Sequence, residues 1–235
     1  MTKLFPMGCI IMASGHSARF GSNKLLQNFH GQPLIQYVLS ATQDIFAKRV
    51  VVTRYEKIAR LCLEQHIPYL LHDKPYLNDT VRLGMAYCES PELLGYAFCT
   101  SDQPFLRWQS VQQLCASFVK TPYAIQRLAY GESPGNPMLF PADLAAELRS
   151  LPQDKGGGIL AKKYPALLVM RKNSCSTSLF RMRMMQMLIH YFSMPMKNIS
   201  LCSIMVNHFI QTLTYSNQRR FETDSCIIFL QRVSR

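Results

Sequence analysis

The chain has 235 residues, enough for one large domain or two small ones with a substantial hydrophobic core. Apolar residues make up 48% and charged residues only 17%, a balance that excludes an intrinsically disordered chain. The formal net charge of +12 is uneven, because residues 171–235 hold nine Lys and Arg against two acidic residues. The same segment has no Gly or Ala and holds seven of the 13 Met. These counts divide the chain into a domain over 1–170 and an atypical segment over 171–235.

Cysteine usage and hydropathy indicate the cellular compartment in which this protein works. The eight cysteines are scattered, with no C-x-x-C pair and no His pair at zinc-finger spacing, so neither a disulfide framework nor a zinc site is predicted. Several lie in apolar runs, as free thiols in a reducing compartment do. No apolar run reaches the ~18 residues that a membrane-spanning helix needs. We therefore expect a cytoplasmic protein with no membrane partner.

The first hundred residues alternate between short apolar runs and amphipathic stretches. The run at 9–13 is nearly all apolar and ends at Ser14 and Gly15, as a strand buried on both faces does. The periodicity predicts further strands and helices in turn: a helix over 33–45, a strand over 49–53, a helix over 56–65, a strand over 68–71, a helix over 79–88 with Asn78 or Asp79 as its N-cap, and a strand over 96–100.

The stretch from 124 to 158 continues with shorter elements. A strand is predicted over 124–128, then a turn-rich segment over 130–137, an apolar run over 138–140, a helix over 142–150 and a glycine loop over 155–158 that opens a short helix. Strands that alternate with helices predict an α/β fold, a three-layer α/β/α Rossmann-like sandwich with a mostly parallel sheet.

Two loops follow the carboxyl ends of predicted strands, where ligands bind in such sheets. The loop at 14–24 contains Gly15 and Gly21, which let backbone N–H groups approach an anion, together with Arg19 and Lys24. These residue types suit a triphosphate. The loop matches neither G-x-x-x-x-G-K-[ST] nor G-x-G-x-x-G, so the usual ATPase and dinucleotide signatures are absent. The second loop, 101–104, reads SDQP.

Residues 10–26, IIMASGHSARFGSNKLL, resemble the signature of nucleotidyltransferases of the molybdenum cofactor type, an apolar strand followed by A-A-G-x-S-x-R-M/F-G and K-L-L. Ser14 stands where that family usually has a second small residue. The resemblance continues in the family's order over about residues 7–170, through GQPLI at 31–35, NDTVRLGM at 78–85, SDQP at 101–104, GNPMLF at 135–140 and KGGG at 155–158.

The resemblance implies a role for each matching residue on a fold of the nucleotide-diphospho-sugar transferase type. Gly15, Arg19 and Lys24 would hold a nucleoside triphosphate, and Asp102 would hold Mg²⁺. Arg19, Lys24 and Asp102 are accordingly the expected catalytic residues. The remaining expected binding residues face the base or border the acceptor pocket: Ala13, Ser14, Asn78 and Asp79 on the base side, and Gly135, Asn136 and Pro137 at the acceptor.

By the same resemblance, Ala13-Ser14-Gly15 favours CTP over GTP, because a Gly-Gly pair accompanies guanine in this family. The implied acceptor is the phosphate of a molybdopterin-type cofactor, whose dinucleotide form serves a molybdenum hydroxylase as client. Attack on an α-phosphorus needs alignment and charge neutralisation rather than a nucleophilic Ser or Cys.

Other interpretations stay open at this point. A sugar or alditol phosphate would suit the same chemistry as acceptor, and a noncatalytic nucleotide-binding protein would suit the atypical segment. Seen singly, Asp102 suits a turn, and Asn78 and Asp79 suit a helix cap. Nucleic acid is not an expected partner, because over half of the positive excess lies in 171–235 and no nucleic-acid-binding signature accompanies it.

The segment 171–235 also departs from the family, which has an acidic D-x-D-T-x-x-D segment there that helps to hold the metal. This chain offers only Glu222 and Asp224, neither in such a pattern, and has a Met-rich run over 179–187. ATG read in the neighbouring frame after a G becomes GAT, the codon for Asp. We therefore hypothesise a frameshift near 169–176. If neither alternative frame of the gene encodes an Asp-rich D-x-D-like motif across codons 179–190, the hypothesis is refuted.

Overall fold

Strands and helices alternate along the part of the chain that the computed structural model describes, which is residues 4–15, 23–130 and 133–170. The strands are β1 (Phe5–Ala13), β2 (Asn28–Phe29), β3 (Gln32–Pro33), β4 (Phe46–Thr53), β5 (Tyr69–Leu71), β6 (Gly95–Thr100), β7 (Gln126–Tyr130), β8 (Ser133–Pro141) and β9 (Leu167–Met170). The helices are α1 (Leu34–Ala41), α2 (Glu56–Glu64), α3 (Leu77–Cys88), α4 (Trp108–Lys120), α5 (Ala145–Arg149) and α6 (Leu160–Lys163).

Seven of these strands form one sheet in the order β5-β4-β1-β6-β8-β7-β9. Strands β5, β4, β1 and β6 run parallel, β8 is antiparallel to both β6 and β7, and β9 is parallel to β7. Strands β2 and β3 form a separate two-stranded ribbon. The predicted α/β fold with a mostly parallel sheet is confirmed. Because β1 lies between β4 and β6, the loops after these three strands converge at one edge of the sheet.

The core lies on both faces of this sheet. Helices α1, α2 and α4 cover one face, with Ile35, Ile58 and Leu114 packed around Ile11 of β1. Helices α3, α5 and α6 cover the other face, where their buried residues belong to the cluster that contains Ile10. A strand buried on both faces must be apolar at successive positions, and this explains the continuous run at 9–13. The cysteines in the described residues are free and buried, at Cys9, Cys62, Cys88, Cys99 and Cys115.

Two glycines allow neighbouring elements to approach closely. A Cβ at Gly95 would meet the backbone carbonyl oxygen of Phe140, where β6 pairs with β8. A Cβ at Gly84 would meet the side chain of Ile10, where α3 packs on β1. The second contact brings the first turn of α3 towards the carboxyl end of the sheet, beside the residues that follow β1.

Most predicted elements are present, with shifted ends. The helix predicted over 33–45 ends at Ala41, and the helix predicted over 142–150 divides into a 3₁₀ turn at Ala142–Leu144 followed by α5. Helix α4 was not predicted. Its signal was available, because buried Val111, Leu114, Cys115 and Phe118 follow helical spacing.

The N-cap predicted for α3 is wrong. Tyr76 is the N-cap, and Asn78 and Asp79 lie inside the first turn. Asp79 Oδ2 accepts a hydrogen bond from the backbone N–H of Tyr76 at 3.3 Å, so its carboxylate reaches back to a helix end instead of starting the helix. The reason is that Asn78 is buried and makes a tertiary hydrogen bond, which places it inside the helix.

Three sequence-based predictions lie outside the described residues: the roles of Arg19 and Gly21 in the loop at 14–24, and the frameshift hypothesis for 171–235. Within the described ranges, no helix combines the length and apolar character needed to cross a bilayer.

Candidate active site

The carboxyl end of β1 is held by hydroxyl groups from the strands on either side of it. Thr53 Oγ1, at the end of β4, donates to the carbonyl of Ala13 at 3.1 Å. Ser101 Oγ, directly after β6, donates to the carbonyl of Met12 at 2.8 Å. The backbone at Ala13, predicted to face a nucleotide base, is therefore fixed from both sides.

Lys24 and Asp102, predicted from separate motifs to hold phosphate and metal, form an ion pair. Lys24 Nζ lies 2.6 Å from Asp102 Oδ2, and their side chains are 31% and 33% exposed. Asn23 caps the 3₁₀ turn that carries Lys24, since its side chain accepts from the backbone N–H of Leu25 at 3.0 Å. A cation and a carboxylate thus stand at one partly solvent-accessible point at the carboxyl edge of the sheet.

The opposite side of the β1 end contains a cluster of polar side chains. Ser14 Oγ donates to the carbonyl of Val52 at 3.0 Å and lies 2.8 Å from His72 Nε2. His72 directly follows β5, and its Nε2 also lies 3.5 Å from Thr80 Oγ1 in α3. Tyr55 donates through its hydroxyl to the carbonyl of Gly15 at 2.8 Å. These contacts draw the Ser14-Gly15 backbone towards the β4–β5 side of the sheet.

The ionisation of His72 follows from these surroundings. Burial, aided by the positive charge of Arg54 and more weakly of Lys74, lowers the pKa of His72, against the smaller opposing effects of Asp79 and Asp73. The imidazole is therefore neutral near pH 7. A neutral ring can donate from one nitrogen only.

Asn78 and Arg82 tie α3, the helix beside the site, to the segment at the end of α5. Asn78 Nδ2 donates to the carbonyl of Leu151 at 3.2 Å, and Arg82 Nε donates to the carbonyl of Arg149 at 2.7 Å. Asn78 and Asp79 also line a groove of about 530 Å³ together with Lys74, Tyr76, Arg82, Leu151 and Gln153. The buried Oδ1 of Asn78 has no partner among the described residues. Its amide orientation is set by the Leu151 carbonyl, so Oδ1 is an acceptor.

Gly135, Asn136 and Pro137 lie in β8, next to β6. Phe98 pairs with Met138, so the three residues before Met138 lie towards the end of β6 that leads to Asp102. Arg127 of β7 holds this stretch, because its Nε donates to the carbonyl of Gly135 at 3.0 Å. All the predicted residues in the described ranges thus lie towards the carboxyl ends of the parallel strands or in α3, which flanks them.

Three polar residues of this edge were not predicted: Thr53, His72 and Thr80. Ser101 was predicted only as part of the loop at 101–104. Thr53 ends a predicted strand and His72 directly follows one, so the carboxyl-end rule that selected the loop at 101–104 would have selected these two residues as well. Thr80 carries no such signal, since a buried threonine in a helix is ordinary.

A metal ion would find one carboxylate here. Within the described ranges there is no group of three or more His, Cys, Asp or Glu side chains placed to hold a metal. Asp102 fits Mg²⁺ in the way that phosphate-binding sites commonly do, with one or two carboxylates while water and substrate phosphates supply the other oxygens.

The sequence profile of the MobA-like NTP transferase domain matches residues 9–167. The chain belongs to this family, and it is a nucleotidyltransferase. Nucleotidyltransferases of this kind use divalent metal ions. No significant match is found among curated protein sequences.

Several solved structures share the fold. Rv0371c from Mycobacterium tuberculosis H37Rv has a TM-score of 0.62 at 18% identity, covering 74% of this chain and 90% of that one; a second structure of that protein, with manganese, gives 0.59 at 17%, with 72% and 89% covered. The CTP complex of CMP:2-keto-3-deoxy-manno-octonic acid synthetase has a TM-score of 0.56 at 14% identity, and the match covers 77% of this chain and 98% of that one. A cytidylyltransferase from Leptospira borgpetersenii serovar Hardjo-bovis (strain JB197) has a TM-score of 0.58 at 12% identity, and the match covers 93% of this chain and 100% of that one.

Proposed function

We propose that this nucleotidyltransferase transfers CMP from CTP to the phosphate of a molybdopterin-type molybdenum cofactor, with Mg²⁺ and with release of pyrophosphate. The observation that carries the proposal is the Lys24–Asp102 pair at 2.6 Å beside the braced end of β1. The pair places a cation suited to phosphate and a carboxylate suited to Mg²⁺ within reach of one triphosphate.

The reaction forms a bond between an acceptor phosphate oxygen and the α-phosphorus of CTP, and breaks the bond from that phosphorus to the oxygen bridging to the β-phosphate. The acceptor oxygen is already anionic, so the chain needs no general base. Lys24 neutralises charge on the phosphates, and the backbone from Ala13 to Gly15 orients the nucleoside. Asp102 would hold Mg²⁺, which supplies charge neutralisation at the leaving pyrophosphate when bound.

The ion pair also indicates how the site receives its substrate. Both side chains are about one-third exposed, so their mutual attraction is worth at most ~1 kcal/mol. A triphosphate arriving with a divalent cation offers each partner a stronger counter-charge: phosphate oxygens for Lys24 and the cation for Asp102. The pair therefore keeps both groups in place at little cost to binding.

The base and the acceptor are the finer parts of the proposal. Ala13-Ser14-Gly15 in place of a Gly-Gly pair supports cytosine, and the segment order from 10 to 158 supports the molybdopterin acceptor, for which a molybdenum hydroxylase in the cytoplasm is the expected client. We also propose that 171–235 replaces the family's acidic segment through a frameshift. Loss of a second carboxylate would lower turnover while leaving CTP binding in place.

The direct test is pyrophosphate release by the full chain with Mg²⁺, each nucleotide and each acceptor. We expect release with CTP and the molybdenum cofactor above the rate with GTP or without acceptor. Release with a sugar or alditol phosphate instead would assign the other acceptor class. CTP binding without release under any combination would favour the noncatalytic alternative.

Choice of base has a separate test that needs no turnover. Because a ligand that binds only the native state stabilises it, CTP at about 100 times its Kd should add about 2.7 kcal/mol to the free energy of unfolding. We expect CTP to raise the melting temperature more than GTP at equal concentration and equal Mg²⁺. The opposite order would contradict the cytidylyl assignment.

A further inference from the structure

Three polar side chains from three separate segments meet beside the end of β1. They are Ser14 after β1, His72 after β5 and Thr80 in the first turns of α3. Ser14 and Thr80 are 7% and 1% exposed, so two of the three partners are buried in the fold. This cluster lies on the opposite side of the β1 end from Lys24 and Asp102.

The hydrogen bonds determine where the imidazole proton sits. Ser14 has one hydroxyl proton, and its contact with the Val52 carbonyl at 3.0 Å uses it. With that proton directed at Val52, we assign the 2.8 Å contact as an N–H donated by His72 Nε2 to Ser14 Oγ. Nδ1 of His72 is buried and has no partner in the described residues, as suits the unprotonated nitrogen of a neutral imidazole.

This arrangement orients the hydroxyl of Ser14 completely. Its proton points to the Val52 carbonyl, and one lone pair accepts from His72. The second lone pair is left to accept a hydrogen bond from a ligand. Ser14 can therefore meet a nucleobase only as an acceptor. A base that presents an N–H group, such as the amino group of cytosine, is the compatible ligand at that atom.

We propose that His72 is a positioning residue for the nucleobase of the substrate, acting through Ser14 and the backbone beside it. The inference rests on the proposed function and adds to it the residue that orients the base side of the site. His72 is the sole side chain in the described ranges that bonds to the Ser14 hydroxyl. Without it, Ser14 can rotate, and α3 loses its link to β1 through Thr80.

The experiment compares two ligands in the full chain by calorimetry with Mg²⁺: CTP, which has a base, and inorganic triphosphate, which has none. His72→Leu removes the N–H donor, and His72→Gln keeps one, since the amide nitrogen of Gln can take the place of Nε2. The control is His66→Asn, because His66 is exposed and has a positive φ of 54°, which Asn tolerates.

We expect His72→Leu to weaken CTP binding about tenfold, the loss of roughly one buried hydrogen bond, and to leave the triphosphate affinity unchanged. His72→Gln should restore CTP affinity to within about threefold of the unmodified chain. Unchanged triphosphate affinity also shows that the variant is folded. Combining His72→Leu with Ser14→Ala should cost no more than the larger single loss, because the two residues act as one unit.

Equal CTP affinity in His72→Leu and the unmodified chain would overturn this inference alone. An equal loss of CTP and triphosphate affinity would also overturn it, because His72 would then support the whole site and not the base side. If the unmodified chain binds neither CTP nor GTP, the proposed function fails, and the inference fails with it.

Discussion

Replacing Asp102 by Asn is expected to abolish Mg²⁺-dependent pyrophosphate release, by at least about a hundredfold, while the protein stays folded. The amide keeps the size of the carboxylate but lacks the charge that a hard divalent cation requires. The variant also loses the ion pair with Lys24, but a pair about one-third exposed contributes little to stability. Activity is measured by pyrophosphate release and folding by the melting temperature.

The matched control is Asp143→Asn, in the 3₁₀ turn at Ala142–Leu144 and exposed. Asp143→Asn should leave both pyrophosphate release and the melting temperature unchanged. Without any metal, Asp102→Asn should bind CTP at least as tightly as the unmodified chain, because it removes a negative charge beside the triphosphate. Full Mg²⁺-dependent activity in Asp102→Asn would mean that the metal is held elsewhere.

The second large effect is expected from Lys24→Ala, which should weaken CTP binding by roughly 1.5–3 kcal/mol, about 10- to 150-fold. The reason is that triphosphate charge is left without its counter-charge, since Lys24 Nζ is the cation that stands beside Asp102. By the resemblance in its loop, Arg19→Ala should act in the same direction. Calorimetry with CTP measures both.

Lys120→Ala is the control for Lys24→Ala, because Lys120 is an exposed lysine at the end of α4, away from the loops after β1 and β6. Its CTP affinity should equal that of the unmodified chain, which separates a specific phosphate contact from a general effect of net charge. If both Lys24→Ala and Arg19→Ala bind CTP normally, the loop at 14–24 is not the phosphate site.

These two experiments also separate the roles of the ion-paired groups. Lys24→Ala should raise the Kd for CTP with and without metal, whereas Asp102→Asn should not raise that Kd when metal is absent. If the Kd for CTP changes identically in the two variants with and without metal, loss of the ion pair, rather than loss of either charge, causes the effect.

Local sequence determined most of the helices and strands and which of the two each segment forms. The apolar run at 9–13 predicted a strand buried on both faces, and the structure extends this strand to Phe5–Ala13 between β4 and β6. Helix α2 matches its predicted start at Glu56 because its buried residues, Ile58, Ala59 and Cys62, follow helical spacing. Such patterns depend on neighbours a few residues apart, and a sequence displays those directly.

Element ends were less predictable for the same reason. Asn78 has the side chain of an N-cap, and its local preference was overridden by burial and by its hydrogen bond to Leu151, 73 residues away. The break at Ala145 within the predicted helix over 142–150 likewise has no local sequence signal. Tertiary packing decides such ends, because a cap preference of about 1 kcal/mol is no larger than the contribution of one hydrogen bond to a distant carbonyl.

Local sequence was enough to name the parts of the site: a glycine-bearing loop with Lys24 after one strand and Asp102 after another. The strand order β5-β4-β1-β6 decided which of these side chains meet. It joined Lys24 to Asp102 across 78 residues and Ser14 to His72 across 58. Pairings over such distances depend on which strands become neighbours, and a residue's local pattern carries no information about its neighbour across the sheet.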